Sequence, residues 1–218
     1  MKRANYKKTL SALSRYLADP AANAEPYDHE MPFDESHLQS GDMDAVHVNE
    51  PFEPTGNAVL DRIVANAGPR FAYGFMPANQ WASDSGIDAN GVIDGSRGAI
   101  GMPHRTDFKS DADYRAILAH ELVHWTKAKG RSERPHGGVS GLEHMLGRYP
   151  PEYPREELVA ELGAAMLLDA VGEKQDYAER AAYVSNWMQA LHPAVRTDAM
   201  AWATAHAQKA VNWLLSFA

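Results

Sequence analysis

The segment AILAHELVHWT places two histidines, His120 and His124, four residues apart around an acid, Glu121. On an α-helix that spacing sets both imidazoles on one face, a turn apart, where they can share a divalent ion. The pattern constrains the fold tightly, because the same helix must present ligands on one side and join the core on the other. Leu118, Leu122 and Trp125 supply the apolar side. Glu121 lies about 100° further round the helix than His120, off the line of the ligands but able to reach a water beside the ion. That is the position of a general base.

A catalytic metal needs a third protein ligand and one position left open. Downstream, REELVAELGAAMLL puts Glu157 and Glu161 on one face of a second helix. The helix is otherwise apolar through Leu158, Val159, Leu162, Ala165 and Leu168, and carboxylates are costly there unless a cation compensates them. The third ligand is therefore expected from this pair. Tyr153, just ahead of the helix, is the first candidate to donate to a developing oxyanion, with Arg131, His136 and His144 in the preceding loop as alternatives. The chain has no cysteine, which removes disulfides and thiolate ligands together. One Zn2+ per chain is the expected ion for a nitrogen-rich set, with Mn2+ or Co2+ as alternatives.

The rest of the chain reads as a frame for these two helices. Tyr6, Leu10, Leu13 and Leu17 have helical spacing, after which prolines and acids dominate to about Glu50. Residues 1–53 are thus expected to form a short helix and an acidic, flexible tether, and residues 54–218 a compact domain. A helix from Gly56 to about Gly68, a strand at RFAYGF, and a hairpin or pair of edge strands within Gly91–Pro103 should precede the His120 helix, itself capped by Ser110 or Asp111. A loop from Gly130 to Pro154 and three helices, near 155–170, 175–191 and 196–217, should follow. Tyr183, Trp187 and Leu191 on one stripe, and Val195, Trp202, Val211, Trp213 and Leu214 on another, read as core packing.

Charge narrows the partners. With a formal net charge of −8 the chain is poorly suited to direct nucleic-acid binding, which depends on Lys and Arg displacing counterions. The basic cluster Lys2, Arg3, Lys7, Lys8 and Arg15 reads as the solvated face of the first helix. No apolar run approaches the roughly 20 residues of a membrane span. A cytoplasmic location is expected.

The motifs together resemble the zincin-like metallopeptidase domain of ArdC-type antirestriction proteins of plasmids and of phage polyvalent proteins. The resemblance runs from about Asn57 to the C-terminus, through ANAGPRFAYG, IGMP, YRAILAHELVHWT, Arg131 and YPREELVAELGAAML. It implies an α+β fold: a helix-rich zincin with a small β-sheet and an HExxH active-site helix. It also implies that His120, His124 and Glu157 hold the metal, that Glu121 is the base, and that Glu161 orients a ligand histidine. The implied activity is zinc-dependent hydrolysis of a protein or peptide, with a host DNA-processing or defence protein as the expected class of partner. The sequence departs from the family at Gly98, where many relatives carry an acid, and at Lys127, where they carry glycine. ArdC-type proteins carry a separate domain that binds single-stranded DNA, and residues 1–53, acidic and broken by prolines, are not expected to form it.

Two non-catalytic alternatives have distinct signatures. A DNA-mimic decoy acting on a host DNA-processing protein would array its acids at phosphate spacing and would have no use for HExxH. A structural zinc protein would close the site with a fourth ligand, for which His136 or His144 could serve.

Overall fold

The structure, a computed structural model, describes residues 6–18, 50–74, 99–128, 130–134 and 152–218. Among them are six α-helices: α1 (Lys7–Leu17), α2 (Ala58–Ala67), α3 (Asp111–Trp125), α4 (Glu152–Ala170), α5 (Tyr177–Ala190) and α6 (Arg196–Leu215). Two short strands, β1 (Arg70–Tyr73) and β2 (Ala99–Met102), lie between α2 and α3. The expected tether falls almost entirely outside the described residues, as do residues 91–98 and the loop that contains His136 and His144.

Local chemistry sets the helix ends. The Asn57 side chain accepts from the amides of Val59 and Leu60 at the start of α2, and Gly68 ends it with φ 74°, a left-handed conformation that glycine adopts without steric cost. Ser110 caps α3 by accepting from the Asp113 amide, with Asp111 and Asp113 in the first turn, where the helix dipole favours acids. Asp176 caps α5 in the same way. Helix α4 begins at Glu152, earlier than the expected loop end at Pro154. Pro154 is tolerated because amides of the first turn have no intrahelical acceptor to lose.

β1 and β2 pair in parallel, Arg70 opposite Ala99 and Tyr73 opposite Met102. Parallel neighbours need a long crossover, so β2 is not the return arm of a hairpin with β1. Its expected local partner, residues 91–98, lies outside the described residues. The sheet lies against α3 through β2.

Helix α4 is the centre of the molecule. Leu158, Val159, Leu162, Met166 and Leu167 are almost wholly buried, and the helix packs on α3, α5 and α6. Gly163 permits the approach to α3: a Cβ there would lie 2.8 Å from both methyls of Val123. α1 lies along α5 and touches α4. Its Tyr6 donates to Asn212 Oδ1 at 2.9 Å, and its Thr9 donates to Asp169 on α4, which also accepts from the Tyr177 hydroxyl at 2.6 Å. Tyr6 and Leu13 belong to the same core cluster as α3, α4 and α6. Of the two expected stripes, Leu191, Val211 and Leu214 are buried, and Trp187, Val195, Trp202 and Trp213 pack partly buried against the core.

Candidate metal centre

His120 and His124 project from α3 toward α4, their ring centroids 4.7 Å apart at 78°. Both Nε2 atoms face Glu157: that of His120 is 3.5 Å from Oε2, and that of His124 is 3.4 Å from Oε1. One ligand atom from each of the three residues lies within 4.8 Å of the others. Each Nδ1 is held from behind by a different carboxylate, that of His120 by Glu161 at 3.1 Å and that of His124 by Glu156 at 2.9 Å. Three glutamates of one helix thus serve two histidines of another. Glu157 sits between the rings, and its neighbour and the residue one turn later engage the outer nitrogens.

Each outer carboxylate has its own arginine. Arg180 of α5 donates to Glu161 Oε2 at 2.6 Å. Arg134 donates through Nε to Glu156 Oε2 at 2.7 Å and through Nη2 to Oε1 at 2.6 Å, a two-pronged pairing. Burial alone would raise the pKa of these acids, but arginine and histidine outweigh it and bring both Glu156 and Glu161 down to about 2. Burial would likewise raise Glu157, yet the His124 and His120 rings hold it well below the usual carboxylate range. The histidines respond in kind. Burial opposes their protonation, but Glu161 and Glu157 carry His120 well above the ordinary imidazole range, and Glu157 and Glu156 raise His124.

Glu121 sits apart from this network. It is buried at 5% exposure, and its Oε2 has no hydrogen-bond partner among the described residues. Burial raises its pKa, against the opposing pull of the two histidines and Lys127. Tyr153 lies in the first turn of α4, one turn before Glu157, buried with its ring centroid 5.6 Å from that of Trp187 at 71°. Arg131 is turned to the end of α3, its guanidinium 3.5 Å over the Trp125 ring and its Nη1 donating to the Trp125 carbonyl at 2.6 Å.

These residues fit a divalent cation. Two imidazole nitrogens and a carboxylate are the usual protein share of a catalytic zinc site. Carboxylates that favour protonation of the rings equally favour a metal cation in the proton's place. A buried carboxylate oxygen with no partner, on the residue after the first ligand, is otherwise a cost with no return.

A helix-borne HExxH facing a glutamate-bearing helix, beside a small sheet, defines the zincin class of metallopeptidase domains. A family model described as zincin-like metallopeptidase matches residues 79–208, and the chain belongs to that family. Two DNA primases named TraC from Escherichia coli are each 36% identical over 96 residues; the match covers 44% of this chain but only 8% and 6% of the primases. The Mn(II)-bound crystal structure of the antirestriction protein ArdC from plasmid R388 superposes with a TM-score of 0.51 at 28% identity, covering 78% of this chain and 55% of that one. The fold is the helix-rich zincin with a small sheet that the motifs implied; the zincin-like family implies a metal, and His120, His124 and Glu157 are a triad that could hold one.

The structure brings together His120, His124 and Glu157 and places Glu161 behind His120. Glu156, Arg134 and Arg180 are additions that the sequence reading missed. The rule applied to Glu157 and Glu161, that a carboxylate in an apolar helix needs a cation, applies equally to Glu156 and would have found it.

Proposed function

We propose that this chain is a zinc-dependent hydrolase, a peptidase in which His120, His124 and Glu157 hold the ion and Glu121 is the general base. The observation that carries this reading is the buried, unpartnered Oε2 of Glu121, on the residue that follows His120, together with the three converging ligand atoms of His120, His124 and Glu157. Zn2+ is favoured over Mn2+ because two of the three donors are imidazole nitrogens. When bound, the ion supplies Lewis acidity to the scissile carbonyl and to the attacking water.

The protein's own groups do the remainder. Glu161 and Glu156 accept from the Nδ1 atoms and keep each Nε2 directed toward Glu157. Glu121 takes one proton from the water as its oxygen attacks the carbonyl carbon. The same proton passes to the leaving amine as the C–N bond breaks, which returns Glu121 to its starting state. Burial raises the Glu121 pKa and so strengthens it as a base. Tyr153 is the proposed donor to the oxyanion, one turn from Glu157.

The substrate class is a protein or peptide. Likeness to an antirestriction protein supports a host DNA-processing or defence protein as the target, acted on in the cytoplasm. The test uses the full chain loaded with zinc and a degenerate peptide library read by mass spectrometry. Glu121→Gln should keep its metal and its melting temperature while cleavage falls by about 100 to 10,000-fold, the range for loss of general-base catalysis. Cleavage at the wild-type rate by the metal-loaded variant, or none by the wild type, would refute it. The decoy alternative predicts that the variant retains its biological effect.

A further inference from the structure

Arg134 is completely buried at its side chain, and five hydrogen bonds of its guanidinium have an unusual distribution. Two go to Glu156, the carboxylate that engages His124 Nδ1. Two more go to the C-terminal end of α3, Nη2 to the Val123 carbonyl at 2.8 Å and Nη1 to Thr126 Oγ1 at 2.8 Å, and one goes from Nη1 to Ser132 Oγ, in the segment after the helix, at 3.1 Å. Ser132 in turn donates to the Thr126 carbonyl at 3.0 Å. One guanidinium therefore grips both the backbone next to His124 and the carboxylate that orients the His124 ring.

We infer that Arg134 is a positioning residue for the metal centre, acting through Glu156 to fix the tautomer and orientation of His124. The inference rests on the reading of His124 as a ligand. A ring on a helix has two torsions left free by the backbone, and a hydrogen bond at Nδ1 removes that freedom only if the acceptor is itself fixed relative to the helix. Glu156 belongs to α4, so its own helix does not fix it to α3. Arg134 does, because its planar fork spans the two helices with every prong engaged. The His120 side is built differently: Arg180 comes from α5, which carries neither ligand, and makes one hydrogen bond to Glu161. Lysine cannot replace Arg134 in this role. An ammonium keeps the charge but cannot pair both oxygens of Glu156 in one plane while also reaching the Val123 carbonyl.

The experiment measures Zn2+ affinity of the full chain by competition with a chromophoric chelator, for the wild type, Arg134→Lys, Glu156→Gln and the double variant. The tautomer of His124 is read by 15N–1H correlation on metal-free protein at a pH where the rings are neutral. Arg134→Lys and Glu156→Gln should each weaken zinc by about 10 to 100-fold, the usual cost of losing a partner behind a metal-ligating histidine. The double variant should be no weaker than the worse single one, because both changes interrupt the same connection. The His124 ring should carry its proton on Nδ1 in the wild type and lose that preference in Arg134→Lys and in Glu156→Gln, whereas His120, held by Glu161, should keep it. Thr9→Val, which loosens α1 far from the site, controls for stability and should leave zinc affinity unchanged. Folded Arg134→Lys and Glu156→Gln proteins that bind zinc within about twofold of wild type would overturn the inference, as would an unaltered His124 tautomer. If the wild type binds no zinc, the proposed function fails, and the tautomer alone then decides whether Arg134 positions His124.

Discussion

Gly163→Ala tests the helix crossing on which the candidate site depends. In an ordinary helix the substitution stabilises by about 1 kcal/mol, because alanine loses less backbone entropy and has the higher helix propensity. At Gly163 the new methyl would meet Val123 Cγ1 and Cγ2 at 2.8 Å and its Cβ at 3.3 Å. Carbon pairs prefer about 3.5–4.0 Å, so both contacts fall roughly an ångström short. Valine is stiff at χ1 on a helix, and a rotation that relieves one methyl drives the other into the preceding turn. The helices must then separate, at a cost of about 1–3 kcal/mol for overpacking. After the propensity gain is subtracted, Gly163→Ala should destabilise by up to about 2 kcal/mol. Zinc affinity should fall as well, because Glu157 and Glu161 precede Gly163 on α4 and His124 follows Val123 on α3. In a Val123→Ala background both methyls are gone, only the Cβ contact at 3.3 Å remains, and the same change should stabilise by up to about 1 kcal/mol. Urea denaturation of the four metal-free proteins gives the cycle directly. Stabilisation by about 1 kcal/mol in both backgrounds would refute the close approach.

Two further outcomes concern the glutamates and the N-terminal helix. Glu157→Ala removes a proposed ligand, whereas Glu161→Ala removes the contacts to His120 Nδ1 and to Arg180 but no proposed ligand, so zinc competition should show the larger loss for Glu157; equal losses or the reverse order would count against the assignment. Asp169→Ala strips its partners from Thr9, Gln175 and Tyr177 and should cost at least about 1.5–3 kcal/mol in urea while zinc affinity holds, since hydrogen bonds to charged groups are worth that much each. A loss under about 0.5 kcal/mol would mean that α1 is not docked there.

How much of this was legible in the sequence depends on the range of each interaction. The His120 and His124 face follows from helical period alone, and the bounds of α2 follow from Asn57 and Gly68, because caps are chosen by residues within the same turn. The pairing of β1 with β2 was not legible. Four-residue strands have too few side chains to announce a partner, and the parallel arrangement depends on a crossover rather than on a turn. Gly163 gave no signal either, since a glycine in an apolar helix becomes meaningful only when Val123 is known to lie against it.

The site itself divides along the same line. Glu157 and Glu161 could be singled out because four-residue spacing puts them on one face, so a single metal centre would account for both. Glu156 points elsewhere on α4, and its partners are reached only across the fold, His124 from α3 and Arg134 from the segment after it. Residues that touch a metal must converge, and helical spacing often records convergence. A residue that acts through a ligand need only meet that ligand's far side, from any element that passes behind it. Arg134 illustrates the consequence. It is ten residues beyond His124 and off the helix, yet it bonds to the carbonyl of Val123 beside that ligand. Charge balance supplies what spacing does not. Each carboxylate buried in α4 requires a cation beside it, and a metal ion held by Glu157 leaves Glu156 and Glu161, which lie behind the ligand rings, to be matched by other buried cations. Applied to the sequence, that balance calls for buried cations near the metal helices before any coordinates are known, and Arg134 and Arg180 meet it.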